Sequence, residues 1–183
     1  ISFQGQPHLL RASRLVSIMR GGAAIFGNSK GSAMTYALSE QVGKTAVFIS
    51  HNWVVSRTKK FLCLAVHFNA NLASCVAAAA IVVIFVASDM GLLPRLAPRD
   101  GRATGDGICN TLLPTPIFFL VVFFRYDLLS LLGCGHRSPT VFLDKTCIHQ
   151  VDRHLQQEGI RKLGAFLRSS SHMVVIYTDV YLT

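Results

Sequence analysis

Two long segments almost free of charged residues dominate the hydrophobic pattern of this chain. They cover residues 61–88 and 108–132, and a single Arg and a single Asp interrupt the second. A helix of about 20 apolar residues suffices to cross the hydrocarbon core of a bilayer. The pattern therefore predicts a transmembrane helical hairpin over residues 61–132, with a charged, Gly- and Pro-containing loop at 89–107.

Short apolar strand patterns lie on both sides of this hairpin. Thr45–Ile49 precedes it, while Thr140–Leu143 and Met173–Tyr177 follow it. Asp152 is a candidate N-cap for a helix between the last two strands. The order of strand, loop, helix and strand is that of a parallel α/β unit. We therefore expect residues 45–60 and 133–183 to be two parts of one α/β domain, interrupted by the hairpin.

Residues 1–44 are basic and rich in Ser and Gly. This segment holds Arg11, Arg14, Arg20 and Lys30 and has no acidic residue before Glu40. We interpret residues 1–44 as a poorly ordered basic linker. A transit peptide has a similar composition and is the alternative.

The charge distribution predicts the orientation of the hairpin. The chain has 18 basic and 9 acidic residues, but it has no zinc-finger, RRM or basic-zipper pattern, so we expect no nucleic-acid partner. Basic residues lie on the outer flanks of the two apolar runs: Arg57, Lys59 and Lys60 before the first, and Arg125, His136 and Arg137 beyond the second, which ends at Phe124. By the positive-inside rule both flanks are cytosolic in an integral membrane protein. The alternative is that both helices are buried in a large soluble core.

The five cysteines do not form a recognised motif. They are odd in number and are never spaced as CxxC, which is typical of reduced thiols rather than of a disulfide framework or a zinc site. Cys147, His149 and His154 fit no known metal-ligand spacing, so we predict no metal site. A nucleophilic pair of Cys147 with His51 stays open, without support from a motif.

Two blocks of sequence resemble a TIR-like (Toll/interleukin receptor-like) domain. They contain Phe48-Ile-Ser-His-Asn-Trp53, Val141-Phe-Leu-Asp-Lys-Thr-Cys-Ile-His-Gln150, the helical segment from Gly159 and the strand Met173–Tyr177. The second block is also similar to the related HET domains and to protist TIR-like membrane proteins with hydrophobic insertions. The resemblance implies a partial parallel-sheet, flavodoxin-like fold, here interrupted by a two-helix transmembrane hairpin.

The resemblance also implies where a ligand would bind. Ser50, His51 and Trp53 would line a pocket beside the first strand, and Asp144 and Lys145 would begin the second loop. NAD would be a substrate there rather than a tightly bound cofactor.

Family members that cleave NAD carry a catalytic glutamate on the helix after the strand that ends here at Tyr177. We expect this chain to be a fragment that stops before that helix, since its only glutamates are Glu40 and Glu158. No catalytic residue is assigned, and whether the protein is an enzyme stays open.

The sequence thus favours a membrane-anchored TIR-like signalling module that contacts lipid and forms homo-oligomers through its α/β domain. NAD hydrolysis would belong to the full-length protein. The alternatives are a non-catalytic membrane scaffold and a fragment of a polytopic transporter.

Overall fold

The computed structural model describes residues 3, 5–93 and 108–177. The chain divides into two compact units, one formed by Ile1–Leu64 with Tyr126–Thr183 and the other by Ala65–Arg125. The first unit contains a sheet and its covering helices, and the second contains most of the apolar segments. The interruption of one domain by the other is thus visible as a division of the chain.

A five-stranded sheet forms the centre of the first unit. Its spatial order is β2-β1-β4-β3-β5. The strands are β1 (Arg11–Arg14), β2 (Ser39–Gln41), β3 (Thr45–Ser50), β4 (Thr140–Phe142) and β5 (Ser170–Val175). Strand β3 is parallel to both β4 and β5, whereas β1 is antiparallel to both β2 and β4.

The pairing of β3 with β4 joins the two flanks of the apolar segments. Val47 pairs with Val141, and Phe48 pairs with Phe142. This register confirms the prediction that both flanks belong to one sheet in a mixed α/β fold. The three parallel strands lie side by side in the order β4-β3-β5. Numbered along the chain, this order is 2-1-3, and the strand order of flavodoxin-like sheets starts in the same way. The antiparallel strands β1 and β2 depart from the predicted parallel sheet.

Residues 1–44 differ from the linker that their composition suggests. They contain β1, β2, α1 (Leu15–Ala23) and α2 (Ala33–Tyr36). In α1 the side chains of Leu15, Ile18 and Met19 are almost fully buried. The free energy gained by burying this face outweighs the low helix propensity of Ser and Gly, because the removal of apolar area from water is the dominant favourable term in folding.

Helices connect β4 to β5 in the first unit. They are α6 (Asp144–Cys147), α7 (Arg153–Arg161) and α8 (Leu163–Arg168). Asp152 caps α7 as expected, since its Oδ1 accepts hydrogen bonds from the backbone N–H groups of His154 (2.8 Å) and Leu155 (3.2 Å). The predicted single helix is divided in two at Lys162.

Aromatic packing forms the core of the sheet. The ring of Phe142 stacks on Phe48 at 4.6 Å and lies 4.3 Å from Phe166. The buried cluster around it comprises Leu10, Phe142, Cys147, Ile148 and Phe166. Since Phe142 is on β4 and Phe48 is on β3, the pairing of the two flanks is also a hydrophobic contact.

Two helices are long and apolar enough to cross a membrane. The most apolar 18-residue window of the first, α3 (Arg57–Asp89), has a mean hydropathy of 2.4, and that of the second, α5 (Pro114–Leu131), has 1.4; only 11% of each window is buried. A separate helix α4 (Ile108–Leu112) precedes α5. The predicted helix 108–132 is therefore broken before Pro114, which lacks an N–H and favours the first turn of a helix. Of the predicted loop 89–107, residues 94–107 lie outside the described residues.

A buried asparagine joins α3 to α5 within the second unit. Asn69 Nδ2 donates to the backbone oxygen of Val122 (2.8 Å), and Arg125 Nη1 donates to Asn69 Oδ1 (3.1 Å). The neighbouring His67 and Asn71 are exposed. Asn69 thus has a packing role, because interhelical hydrogen bonds hold apolar helices together.

The packing of Phe142 predicts a large loss of stability on truncation. We expect Phe142→Ala to lower the free energy of unfolding by about 3–5 kcal/mol, because it removes a buried ring and leaves a cavity. Urea unfolding in detergent micelles, followed by circular dichroism, measures this change. Tyr177→Ala is the control, since Tyr177 is 60% exposed, and should change stability by less than about 1 kcal/mol. Equal effects of the two substitutions would contradict the core assignment.

Candidate functional site

The carboxyl ends of β3 and β4 bring most of the predicted ligand-binding residues together. His51 and Trp53 follow β3, and Asp144 follows β4. Trp53 Nε1 donates to Asp144 Oδ2 at 3.0 Å, and the His51 ring lies 4.5 Å from the Trp53 ring. Neighbouring parallel strands end at the same edge of a sheet, which is where open α/β sheets bind ligands.

Lys145 lies in the same region but is held by the chain itself. Its Nζ donates to the backbone oxygens of Ile25 (2.9 Å) and Asn28 (2.8 Å) and to Asn28 Oδ1 (3.0 Å). Its backbone N–H donates to Asp144 Oδ1 at 2.7 Å. Lys145 therefore anchors the segment after α1 to the end of β4, and its ammonium has three partners already.

Lys60 is the functional candidate that the sequence interpretation missed. It lies on the first turn of α3, ahead of the apolar segment, and is completely buried. Its Nζ is 4.8 Å from the Trp53 ring and 5.5 Å from the Phe26 ring. Among the described residues this ammonium has no hydrogen-bond partner. We call Phe26, His51, Trp53, Lys60, Asp144 and Lys145 the aromatic–lysine cluster.

Burial controls the protonation of the cluster. Desolvation lowers the pKa of His51 to about 4, although the nearby Asp144 carboxylate raises it and Lys60 lowers it further. Desolvation also lowers the pKa values of Lys60 and Lys145, and Asp144 opposes both shifts. At neutral pH His51 is thus uncharged, and its buried Nε2 has no hydrogen-bond partner among the described residues.

The remaining sequence candidates lie outside the centre of the cluster. Ser50 ends β3 and is engaged through its backbone, whose oxygen accepts from Ile176 N at 2.9 Å. Cys147 is buried in the core, where desolvation raises the pKa of its thiol. A raised thiol pKa opposes nucleophilic catalysis, which requires the thiolate. His149 Nδ1 instead accepts a hydrogen bond from Asp152 N at 2.9 Å.

Phe26 and Lys60 were hidden from sequence reasoning for different reasons. Phe26 belongs to the segment that we interpreted as a linker, and Lys60 was assigned to membrane orientation as one of three basic residues. A lysine directly before an apolar helix is common at a membrane surface. No sequence signal distinguishes buried Lys60 from exposed Lys59, because the two lysines are adjacent and precede the same apolar segment.

The cluster combines two ammonium groups, aromatic rings and one carboxylate. Asp144 acts electrostatically on both Lys60 and Lys145, and the ammonium groups lie beside the Trp53 ring. Neither glutamate is bonded to a residue of the cluster. Glu40 forms an ion pair with Arg14 at 2.9 Å, and the Glu158 carboxylate accepts a hydrogen bond from Gln6. Asp144 is therefore the one carboxylate of the cluster, whose Phe26, Lys60 and Lys145 side chains are buried.

Comparisons with protein-family models, with curated proteins and with solved structures find no match to this chain.

The neutral state of His51 predicts acid sensitivity. The unfolded chain binds a proton at His51 below pH ~6.5, whereas the folded state does so only near pH 4. Stability should therefore fall by about 2–3 kcal/mol as the pH decreases from 6.5 to 4. His51→Gln should remove this part of the pH dependence in urea unfolding, and the exposed control His172→Gln should keep it. Parallel pH profiles for the wild type and His51→Gln would contradict the assignment.

The buried ammonium of Lys60, which no described residue hydrogen-bonds, predicts a stabilising substitution. Lys60→Met keeps the length of the side chain and removes a buried charge, so we expect it to raise the free energy of unfolding by about 1–2 kcal/mol. Lys59→Met, at the exposed neighbouring position, should change it by less than about 0.5 kcal/mol. Thermal unfolding followed by circular dichroism compares the two variants. Destabilisation by Lys60→Met would show that Lys60 has a structural partner.

Proposed function

We propose that this chain is a membrane-anchored, TIR-like signalling module whose cytosolic α/β domain is interrupted by a transmembrane hairpin. The observation that carries the proposal is the parallel pairing of β3 with β4 across two long apolar helices. A chain that leaves a folded sheet, enters a bilayer and returns to the same sheet must cross the bilayer an even number of times. Two crossings meet that requirement.

The surface of the apolar helices favours lipid over a protein interior. Large apolar side chains are exposed on both helices, including Val82, Val83, Phe85, Leu120 and Phe124. Monomeric soluble proteins rarely expose continuous apolar surfaces of this extent. Burial in a bilayer would remove this surface from water, and the basic flanks would face the cytosol.

The ligand part of the proposal is a nucleotide of the NAD class. Support comes from the position of the aromatic–lysine cluster at the carboxyl ends of two parallel strands, and from its pairing of aromatic rings with ammonium groups. The strand order β4-β3-β5 agrees with the start of a flavodoxin-like sheet. NAD hydrolysis would require a catalytic carboxylate in addition to Asp144, the one carboxylate of the cluster.

A non-catalytic scaffold is the second candidate, and a specific observation favours it. Trp53 and Lys145 use their polar atoms on Asp144 and on the loop after α1. In a scaffold, these hydrogen bonds would have a structural role alone, which is to hold the loops of an interaction domain in place. The edge strand β5 would then supply the contact between copies, because Met173 and Val175 are each 45% exposed and edge strands can pair with other chains.

Membrane insertion is tested by reconstitution into liposomes. We expect the protein to float with the vesicles and to resist extraction at alkaline pH, because apolar helices of this length partition into the hydrocarbon. A variant with Val83→Asp and Phe119→Asp places charges on exposed positions of both helices and should be extracted. Wild-type protein that stays monodisperse in buffer without lipid or detergent would contradict the anchor.

Nucleotide binding can be followed through Trp53, the sole tryptophan of the chain. Titration of NAD should give a saturable change in Trp53 fluorescence. Lys60→Met should weaken the apparent affinity at least tenfold, since it removes the ammonium to which no described residue is hydrogen-bonded. Lys59→Met is the matched control and should bind as the wild type does. An identical, non-saturating response in all three proteins would leave the scaffold as the better account.

A further inference from the structure

An open groove lies beside the C-terminal end of α5. It has a volume of about 400 Å³ and is lined by Arg20, Gly21, Ala24, Asp127, Ser130 and Leu131. Binding sites for small ligands typically have volumes of about 300–1,000 Å³. All of its lining residues belong to the first compact unit.

Gly21, which lines the groove, forms a turn with the neighbouring Gly22. Gly21 and Gly22 both have φ of +60°, a conformation that favours glycine. Gly21 N donates to Asp127 Oδ1 at 2.7 Å, and Arg57 Nε donates to the Gly22 oxygen at 2.8 Å. The carboxylate of Asp127 and the guanidinium of Arg57 are thus both used in holding this turn between α3 and α5.

Arg20 is the cation that these bonds leave available. It is exposed, and its guanidinium makes no hydrogen bond or ion pair with any residue that the structure describes. The lining also includes the apolar side chains of Ala24 and Leu131, of which Leu131 is 85% exposed. A guanidinium and apolar side chains in one groove complement a ligand that has a phosphate at one end and a hydrocarbon at the other.

The position of the groove along α5 selects the bilayer surface as the source of such a ligand. The helix has 18 residues, which corresponds to about 27 Å at 1.5 Å per residue. The hydrocarbon core is about 30 Å thick. If Pro114 lies near the far surface, then Asp127, Ser130 and Leu131 lie at the depth of the near headgroups.

We infer that this groove binds the headgroup of an anionic phospholipid, with Arg20 on the phosphate and with Ser130 as a hydrogen-bond donor. The acyl chains would extend along Leu131. This inference rests on the proposed membrane insertion and names the lipid class that the anchor prefers.

Native mass spectrometry of the protein released from nanodiscs tests the inference. The nanodiscs contain phosphatidylcholine with one tenth phosphatidylglycerol. We expect the wild type to retain phosphatidylglycerol in excess over its share of the bilayer, and Arg20→Gln to lower the retained amount at least threefold. Lys30→Gln removes the same charge from an exposed site outside the groove and should retain lipid as the wild type does. Ser130→Phe, which fills the groove without changing charge, should act like Arg20→Gln.

The outcomes separate this inference from the proposed function. Protein that enters nanodiscs but retains phosphatidylglycerol equally in the wild type and Arg20→Gln overturns the headgroup site alone. Equal losses in Arg20→Gln and Lys30→Gln also overturn it, since they indicate a general charge effect. Protein that fails to enter nanodiscs overturns the membrane anchor and this inference together.

Discussion

The parallel pairing of β3 with β4 constrains the whole chain, because these strands lie on opposite sides of the two longest apolar helices in sequence. Their backbone register and the stacking of Phe48 on Phe142 require the chain to return to the point from which it left. Whatever solvates α3 and α5 must therefore accept them without separating the flanks. The turn at Gly21 and Gly22 reinforces this return, since it is bonded to Arg57 at the start of α3 and to Asp127 near the end of α5.

The same return creates the candidate ligand site. Because β3 and β4 are neighbours and parallel, the residues that follow them meet at one edge of the sheet, where Trp53 donates to Asp144. The start of α3 adds Lys60 to this edge. The aromatic–lysine cluster thus lies where the sheet, the N-terminal segment and the first apolar helix join. In the proposed signalling module, a ligand in the cluster would contact the start of the helix that we propose to cross the membrane.

The pattern of the chain predicted the sheet pairing and the apolar helices because each depends on local composition, namely short apolar strands and long uncharged segments. The juxtaposition of His51, Trp53, Asp144 and Lys145 also followed, since parallel strands bring their carboxyl ends together. The strand β1 did not follow: it is short, carries arginines at both ends and is stabilised by long-range pairing with β4. The burial of Lys60 was equally impossible to predict from the sequence, because it depends on Phe26, which is distant along the chain.

The central claim is that both flanks lie on one side of a bilayer that solvates the two helices. The most direct test of this claim treats sealed proteoliposomes with a membrane-impermeant maleimide and counts the labels on each protein molecule. The protein would carry cysteines only at Lys44→Cys and Arg137→Cys, two exposed positions of opposite flanks. Our account predicts intact masses with two labels or none, according to orientation. It also predicts that a variant with Cys75 alone, in the middle of α3, reacts only after detergent is added. Molecules with a single label at complete reaction, or labelling of Cys75 in intact vesicles, would contradict the account.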